Sequence, residues 1–491
     1  MIKPLAVGLS LILASASHSV SATATPSNSD ALVLEDCFVD NLKSKALCGT
    51  VDVPENRQQP ISETNKISLN VVVLPKYKEE SKELPMMFLA GGPGQAATEL
   101  VPVLDRTMYE VRQEHDIILV DQRGTGDSSP LECDAPEVEP LSFDDSNFDL
   151  ESEVKECIEQ FSNKHLPSYN TYDSIKDFEA VREALGHKQV HILGGSYGTR
   201  AGFAYLKLFP ESIATAVLDS NAPMELVIGF FGKTSERAFE LLVDDCNKHE
   251  QCAKAFPELK NDYLSLVATL DKGPIETELF HPVTGEKTKA VLTKSKVTEA
   301  MRTTLYDLGS RQMLPYMVNR AANGDYRFLA AFIGRSIDSE RAPGGLYTGL
   351  TMNIICNEDM PRASQSDFDT DKQNYFNGEG GYSNFTDVCQ HWPKWQAPAD
   401  FAQPVTADVP VLLFSGEYDP VTPPAYGEMA LKSLPNAKHV VIQNGSHVAS
   451  IRQCVDSIKT FMQSGSFNDV DFSCADKPSV RMFFTDMNQL H

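Results

Sequence analysis

The fold of this 491-residue chain is predicted most directly by the stretch Val190-His191-Ile192-Leu193-Gly194-Gly195-Ser196-Tyr197-Gly198. An apolar strand-like run, 190–193, leads directly into the pattern Gly-x-Ser-x-Gly, and an Ala- and Gly-rich helical segment, 197–209, follows. Such a strand–turn–helix holds a serine on a tight corner with its hydroxyl exposed, and glycines let the neighbouring backbone pass closely. We therefore identify Ser196 as a candidate nucleophile; a glycine-rich turn without chemistry is the alternative.

The segments on both sides of this motif predict a parallel sheet covered by helices. Strand-like runs occur at 67–74, 86–90, 116–121, 214–218, 409–414 and 439–442, and residues 172–187 have helical spacing. Strands that alternate with helices are typical of an α/β sheet buried on both faces. Residues 230–400 are mainly helical and polar, which indicates an insertion into one sheet; a separate second domain is the alternative.

A serine needs a base to remove its proton, and the base needs a third group to orient it. In the α/β-hydrolase fold, the chain order is serine, acid and histidine. His447 follows the predicted strand 439–442 in a Gly-Ser-His loop, and Asp419 follows the predicted strand 409–414. Glu417 lies in the same loop and is the rival for the acid. The predicted triad is Ser196, Asp419 and His447.

Acyl transfer also needs two N–H groups aimed at the developing oxyanion. The residue after the nucleophile, Tyr197, is expected to supply one of them. The loop after the predicted strand 86–90 is expected to supply the other, and Gly92 is the candidate because Pro93 has no N–H. A simple glycine turn is the alternative for this loop.

Composition and cysteine count limit the classes of protein to which this chain can belong. The net charge of −25 argues against binding to nucleic acid through its phosphates, and no sequence pattern indicates a metal site. Residues 1–24 read as a signal peptide, although an uncleaved anchor is the alternative, and no other stretch approaches the length of a membrane span. Ten cysteines fit an oxidising compartment and fall into the neighbouring pairs Cys37/Cys48, Cys133/Cys157, Cys246/Cys252, Cys356/Cys389 and Cys454/Cys474.

Several motifs together resemble the proline iminopeptidase and tripeptidyl aminopeptidase group of serine hydrolases. The resemblance extends over residues 48–454 and rests on Gly91-Gly92-Pro93-Gly94, Asp121-Gln122-Arg123-Gly124-Thr125-Gly126, Gly194-Gly195-Ser196-Tyr197-Gly198, Asp419-Pro420-Val421-Thr422-Pro423 and Gly445-Ser446-His447. Many proline iminopeptidases have histidine where this chain has Ala90, which favours the exported tripeptidyl-type branch.

The resemblance implies a helical cap between two parts of the sheet and acidic cap residues that bind a peptide's free α-amine. Cys356-Asn357-Glu358-Asp359 resembles the family's acidic motif, so Glu358 and Asp359 are the candidates; surface acids without a role are the alternative. The predicted division is a signal peptide at 1–24, a core at 25–229, a cap at 230–400 and a second core part, the TAP-like region, at 401–491.

The sequence thus predicts an exported, periplasmic or extracellular serine peptidase without metal or organic cofactor. It is expected to hydrolyse short peptides from the free N-terminus through an acyl-enzyme, with neither nucleic acid nor a membrane as partner. A carboxylesterase or lipase is the alternative function, and a binding protein that keeps the fold without activity is the third hypothesis.

Overall fold

The structure is a computed structural model that describes residues 32–134, 139, 141–147, 149–341, 345–374, 376, 380–477 and 482–486. The predicted signal peptide, 1–24, lies outside the described residues. The strands are β1 (Glu35–Cys37), β2 (Ala46–Val53), β3 (Ile67–Leu74), β4 (Met86–Leu89), β5 (Ile117–Val120), β6 (Val190–Gly195), β7 (Ile213–Asp219), β8 (Ile275–Phe280), β9 (Lys287–Leu292), β10 (Val411–Gly416) and β11 (Ala437–Ile442).

The helices alternate with these strands and fill most of the segment between β7 and β10. They are α1 (Val101–Thr107), α2 (Tyr109–Arg112), α3 (Leu150–Gln160), α4 (Thr171–Ala184), α5 (Tyr197–Leu208), α6 (Gly232–Lys248), α7 (Glu250–Ala255), α8 (Leu259–Leu270), α9 (Lys294–Thr304), α10 (Leu308–Arg311), α11 (Leu314–Ala322), α12 (Arg327–Arg341), α13 (Thr348–Ile354), α14 (Gln365–Lys372), α15 (Gly380–His391), α16 (Pro424–Leu431), α17 (Ser450–Gln453) and α18 (Val455–Ser464).

Nine of the described strands form one sheet in the order β1-β2-β3-β5-β4-β6-β7-β10-β11. The pairs from β5 to β11 are parallel, whereas β1, β2 and β3 pair antiparallel at one side. The carboxyl ends of β4, β6, β7, β10 and β11 therefore open on the same edge of the sheet. The loops that carry Gly92, Ser196, Asp419 and His447 all start from this edge.

Alternate residues of the central strands enter two different hydrophobic cores. In β3, Val71 and Val73 face one core and Val72 and Leu74 face the other, and Met86 to Leu89 of β4 alternate in the same way. A sheet that is apolar on both faces must be covered on both faces, and helices such as α4 and α5 on one side and α18 on the other cover it. The sequence-based prediction of a mostly parallel α/β sheet is confirmed.

The segment between β7 and β10 has a hydrophobic core of its own, built largely from residues 238–333. It is mainly helical, as predicted. It also contains the antiparallel hairpin β8–β9, which was not predicted from the sequence. The later part of the segment does not belong to this separate core: Leu350, Ile354 and Trp392 pack into one of the two cores of the main sheet. The division at 230 and 400 remains a prediction.

All five predicted cysteine pairs are disulfides. They join Cys37–Cys48, Cys133–Cys157, Cys246–Cys252, Cys356–Cys389 and Cys454–Cys474. The fourth ties the acidic motif to α15, and directly after this helix Trp392 is buried and donates from its ring to Asn353 at 3.0 Å. No helix in the described part of the chain is long and apolar enough to cross a membrane.

Candidate active site

Ser196 lies on the predicted sharp turn between β6 and α5. Its φ of 57° and ψ of −126° are unusual for a residue with a side chain, and such strain is typical of a nucleophile held on a strand-to-helix corner. The turn depends on glycine at two positions. A Cβ on Gly198 would lie 2.0 Å from the Leu89 carbonyl oxygen, and one on Gly194 would lie 2.4 Å from the Gly198 oxygen.

Asp419 and His447 form a buried pair on the neighbouring loops. The Nδ1 atom of His447 lies 2.8 Å from Asp419 Oδ2, and it lies 3.3 Å from the Thr422 hydroxyl. The Asp419 side chain is fully buried, whereas 11% of the His447 side chain is exposed. A proton on Nδ1 would be donated to the carboxylate, which leaves Nε2 as the basic nitrogen.

The Asp419 carboxylate is surrounded by hydrogen-bond donors. Its Oδ1 accepts from the N–H groups of Val421 at 3.0 Å and Thr422 at 2.8 Å, and its Oδ2 accepts from the hydroxyls of Thr422 and Ser220. Burial opposes ionisation, but the electrostatic interaction with the His447 imidazole and these hydrogen bonds outweigh it and lower the pKa of Asp419 from 3.8 to about 2. The site therefore favours the ionised form of Asp419. The rival Glu417 instead accepts the Asn444 N–H at 2.9 Å and braces the next loop.

A cavity lies beside the nucleophile and beside residues that contact the acid–base pair. Its lining includes Ser196, Gly92, Tyr197, Thr422 and Tyr306. Thr422 contacts His447, and the ring of Tyr306 packs edge-on against the imidazole at 4.9 Å between centroids. The remaining walls are apolar: Ala222, Leu226, Val227, Ile228, Phe230, Phe231, Val421 and Tyr426.

The two predicted oxyanion donors, Gly92 and Tyr197, line the same cavity as Ser196. Tyr197 is the first residue of α5, and the first N–H groups of a helix have no partner within the helix. Gly92 has a φ of 108°, a backbone conformation that favours glycine. Hydrogen bonds from two residues of the inserted segment hold the loop of Gly92 in place. The Tyr347 N–H donates to the Gly94 oxygen at 2.7 Å, and the Thr351 hydroxyl donates to the Pro93 oxygen at 2.6 Å.

Glu358 and Asp359 are buried, so the alternative of surface acids is wrong. Glu358 accepts hydrogen bonds from the Thr171 N–H at 2.7 Å and the Thr171 hydroxyl at 2.5 Å, and that hydroxyl lies 2.7 Å from the Tyr197 hydroxyl. Burial raises the pKa of Glu358 to about 7 even though both Thr171 bonds lower it. Asp359 pairs with Arg200 at 3.2 Å and Arg362 at 2.9 Å. Neither acid is among the residues that form the cavity wall.

Two residues of the Asp121–Gly126 motif hold neighbouring loops in place. Asp121 accepts from the Thr98 N–H and hydroxyl at 2.9 Å, and Arg123 makes a paired contact with Asp177 at 2.6 and 2.7 Å. No group of three or more His, Cys, Asp or Glu side chains in the described residues is arranged to hold a metal ion.

Sequence reasoning missed three residues that contact the candidate triad or its loops. Ser220 follows β7 and reaches Asp419, and Tyr306 comes from the inserted segment and packs on His447. Arg311, also from the inserted segment, is fully buried; it donates to the Ser446 hydroxyl at 3.1 Å and its guanidinium lies 3.9 Å above the Tyr418 ring. No local pattern marks these residues, because their contacts span about 110 to 230 positions of sequence.

Comparison with known proteins agrees with the topology. Residues 85–259 match the α/β hydrolase fold family, and residues 374–474 match the family described as TAP-like protein. A tripeptidyl aminopeptidase of Streptomyces coelicolor is 25% identical over 268 residues, which cover 49% of each chain. The serine protease Hip1 of Mycobacterium tuberculosis is 28% identical over 226 residues, which cover 42% of each chain.

A proline iminopeptidase of Neisseria gonorrhoeae is 29% identical over 146 residues, which cover 29% of this chain and 35% of its own. The chain spans about half the length of the first of these relatives and less of the other two. The match to the fold family covers the nucleophile turn, and the TAP-like match covers Asp419 and His447. The sheet order and the match over residues 85–259 show that the chain has the α/β-hydrolase fold, and residues 374–474 are similar to the TAP-like family.

Proposed function

We propose that this protein is a serine peptidase that releases residues from the free N-terminus of short peptides, with Ser196, Asp419 and His447 as its triad. The observation that carries the proposal is the Asp419–His447 pair at 2.8 Å, beside a cavity that also exposes Ser196 on its strained turn. The similarity to tripeptidyl aminopeptidases and a proline iminopeptidase supports peptides as the substrate class.

The proposed reaction follows from the roles that these positions can take. The Ser196 hydroxyl attacks the scissile carbonyl carbon while His447 Nε2 removes its proton, and Asp419 stabilises the imidazolium that forms. The N–H groups of Gly92 and Tyr197 donate to the oxyanion of the tetrahedral intermediate. His447 then protonates the leaving amine, and a water activated by the same imidazole hydrolyses the acyl-enzyme.

Amine recognition is proposed for Glu358, with Asp359 as its neighbour. A buried carboxylate whose pKa is raised to about 7 has few stabilising charges around it, so a peptide ammonium would favour its ionised form. The carboxylate also connects through Thr171 to the Tyr197 hydroxyl, and Tyr197 lines the cavity. Asp359 already has two arginine partners, which favours a supporting role for it.

The cavity itself favours an uncharged side chain on the residue that supplies the scissile carbonyl. Its lining includes Phe230, Phe231 and Tyr426 and has no acidic or basic side chain among the described residues. A charged side chain would lose its hydration there without a partner. We expect alanine or proline at this position to be cleaved faster than lysine or glutamate.

The same apolar lining also fits the second candidate, a carboxylesterase for small acyl groups. Matched substrates with free and N-acetylated α-amines, together with simple esters, separate the two functions. Activity confined to free amines supports the aminopeptidase. Equal turnover of blocked peptides or esters would contradict the amine-binding role and favour the esterase.

Export is proposed as well. Five disulfides are typical of proteins in oxidising compartments, and the leader at residues 1–24 has the pattern of a signal peptide. Fractionation of cells that express the full chain tests this: the expected result is protein in the periplasm or medium, and retention in the cytoplasm would contradict it.

A further inference from the structure

Ser220 lies directly after β7, between the nucleophile strand and the acid strand, and is fully buried. Its backbone N–H donates to the Phe414 oxygen of β10 at 3.0 Å, which fixes the residue beside the acid loop. Neither the triad nor the oxyanion donors explain why a serine occupies this position.

The Ser220 hydroxyl joins the acid loop to the histidine loop. It donates to Asp419 Oδ2 at 2.8 Å, the same oxygen that faces His447, and it accepts the N–H of Val448 at 2.8 Å. A second acceptor, Asp219 Oδ1, is farther away at 3.4 Å. Because a hydroxyl has one proton and two lone pairs, these contacts use it as donor and acceptor together.

The backbone at both ends of this link is strained. Ser220 has a φ of 65° and Val448, the residue after His447, has a φ of 50°. Left-handed backbone is uncommon for serine and a genuine outlier for the β-branched valine, and it persists only where surrounding contacts impose it. The neighbouring Asp219 adds to the restraint, since its Oδ2 accepts the N–H of Ser450, the first residue of α17, at 2.7 Å.

We propose that Ser220 is a positioning residue that fixes the loop of His447 relative to Asp419, so that the imidazole faces Ser196. This inference rests on the proposed triad. Without the hydroxyl, the Val448 N–H loses its acceptor and Asp419 Oδ2 loses one donor, so the histidine loop can relax away from its strained geometry. A misplacement of about 1 Å can reduce a rate about 100-fold.

The test compares Ser220→Gly, Ser220→Ala and a matched control, Ser212→Ala. Glycine suits the left-handed backbone, so Ser220→Gly removes both hydrogen bonds without adding strain. Ser212 precedes the same strand at its other end, is buried and donates to a buried carboxylate, Glu179, at 2.8 Å. The readouts are kcat, KM, the rate of labelling by a fluorophosphonate and the melting temperature.

We expect Ser220→Gly to lower kcat and the labelling rate by about 10- to 100-fold, with KM close to that of the wild type. Ser220→Ala should lose a similar factor in kcat but melt at a lower temperature than Ser220→Gly, because alanine does not suit the left-handed backbone. The control Ser212→Ala should keep the wild-type kcat. The proposal is overturned if Ser220→Gly keeps kcat within twofold of the wild type, or if its loss only follows the loss of folded protein.

A parallel Ser196→Ala variant separates this proposal from the triad on which it rests. If Ser196→Ala has no turnover while Ser220→Gly is fully active, the triad stands and the positioning role of Ser220 is wrong. If Ser196→Ala keeps its turnover, the proposed function itself fails.

Discussion

Replacing Glu358 with glutamine is expected to stabilise the protein at alkaline pH while it impairs peptide turnover. The carboxylate is fully buried, and its pKa rises from 4.5 to about 7 because burial disfavours the charged form. At about 1.4 kcal/mol for each pKa unit, ionising Glu358 in the folded protein costs about 3 kcal/mol more than in the unfolded chain. Glutamine avoids this cost.

The effect of Glu358→Gln on the free energy of unfolding should depend on pH. A carboxyl group whose folded pKa is raised contributes its stability below the unfolded value, and that contribution is lost as pH rises through about 7. The gain in Glu358→Gln should therefore be absent at pH 4.5 and approach its full size at pH 8. Since glutamine can accept only with its oxygen, and Thr171 donates to both carboxylate oxygens, about 3 kcal/mol is an upper bound.

Urea unfolding of wild type and Glu358→Gln between pH 4.5 and pH 8 measures this difference directly. A matched kinetic assay with free-amine peptides should show a raised KM for the variant, because the carboxylate is the proposed partner of the α-amine. An equal difference in unfolding free energy at both pH values, or a variant that is less stable than the wild type at pH 8, would show that ionising Glu358 does not destabilise the folded protein.

Three further predictions concern the catalytic acid, the nucleophile turn and the loop of His447. Asp419→Asn should lower kcat/KM about 10³- to 10⁴-fold, because the imidazole loses its anionic partner. The control Glu417→Gln should keep kcat/KM within about threefold of the wild type, and similar losses for both variants would contradict the choice of Asp419 as the acid. Gly198→Ala should abolish soluble, active protein, because its Cβ would lie 2.0 Å from the Leu89 oxygen; a wild-type melting temperature would argue against the geometry of the turn. Arg311→Met should lower kcat about tenfold, because the guanidinium holds the loop before His447 through Ser446; unchanged kinetics would show that this contact is dispensable.

The parts of this molecule that follow from local sequence were predictable. The apolar run before Ser196 and the glycines around it specify a strand and a strained turn, and the observed β6 and α5 begin where the pattern placed them. Loop positions after the last two core strands were enough to place Asp419 and His447 together at 2.8 Å. The cysteines also paired as proposed, and the paired residues are 6 to 33 positions apart in sequence.

The features that depend on distant contacts were not predictable. The hairpin β8–β9 has only six residues in each strand, and its outward positions carry charged residues such as Glu276, Glu278 and Lys287, so its apolar signal is short. Its buried residues are Leu279, Ala290, Val291 and Leu292. Ser220 is an ordinary polar residue in sequence, and its role depends on loops that lie about 200 positions away. Whether an acid such as Glu358 is buried or exposed likewise depends on Thr171, which packs against it from another helix.

The most direct test of the central claim is mass-spectrometric mapping of the adduct formed by a fluorophosphonate on the purified full chain. If Ser196 is the nucleophile, the probe forms one adduct, on Ser196, peptide hydrolysis falls in proportion to labelling, and Ser196→Ala is not labelled. An unlabelled Ser196 in active protein, or turnover that survives in Ser196→Ala, would contradict that role of Ser196.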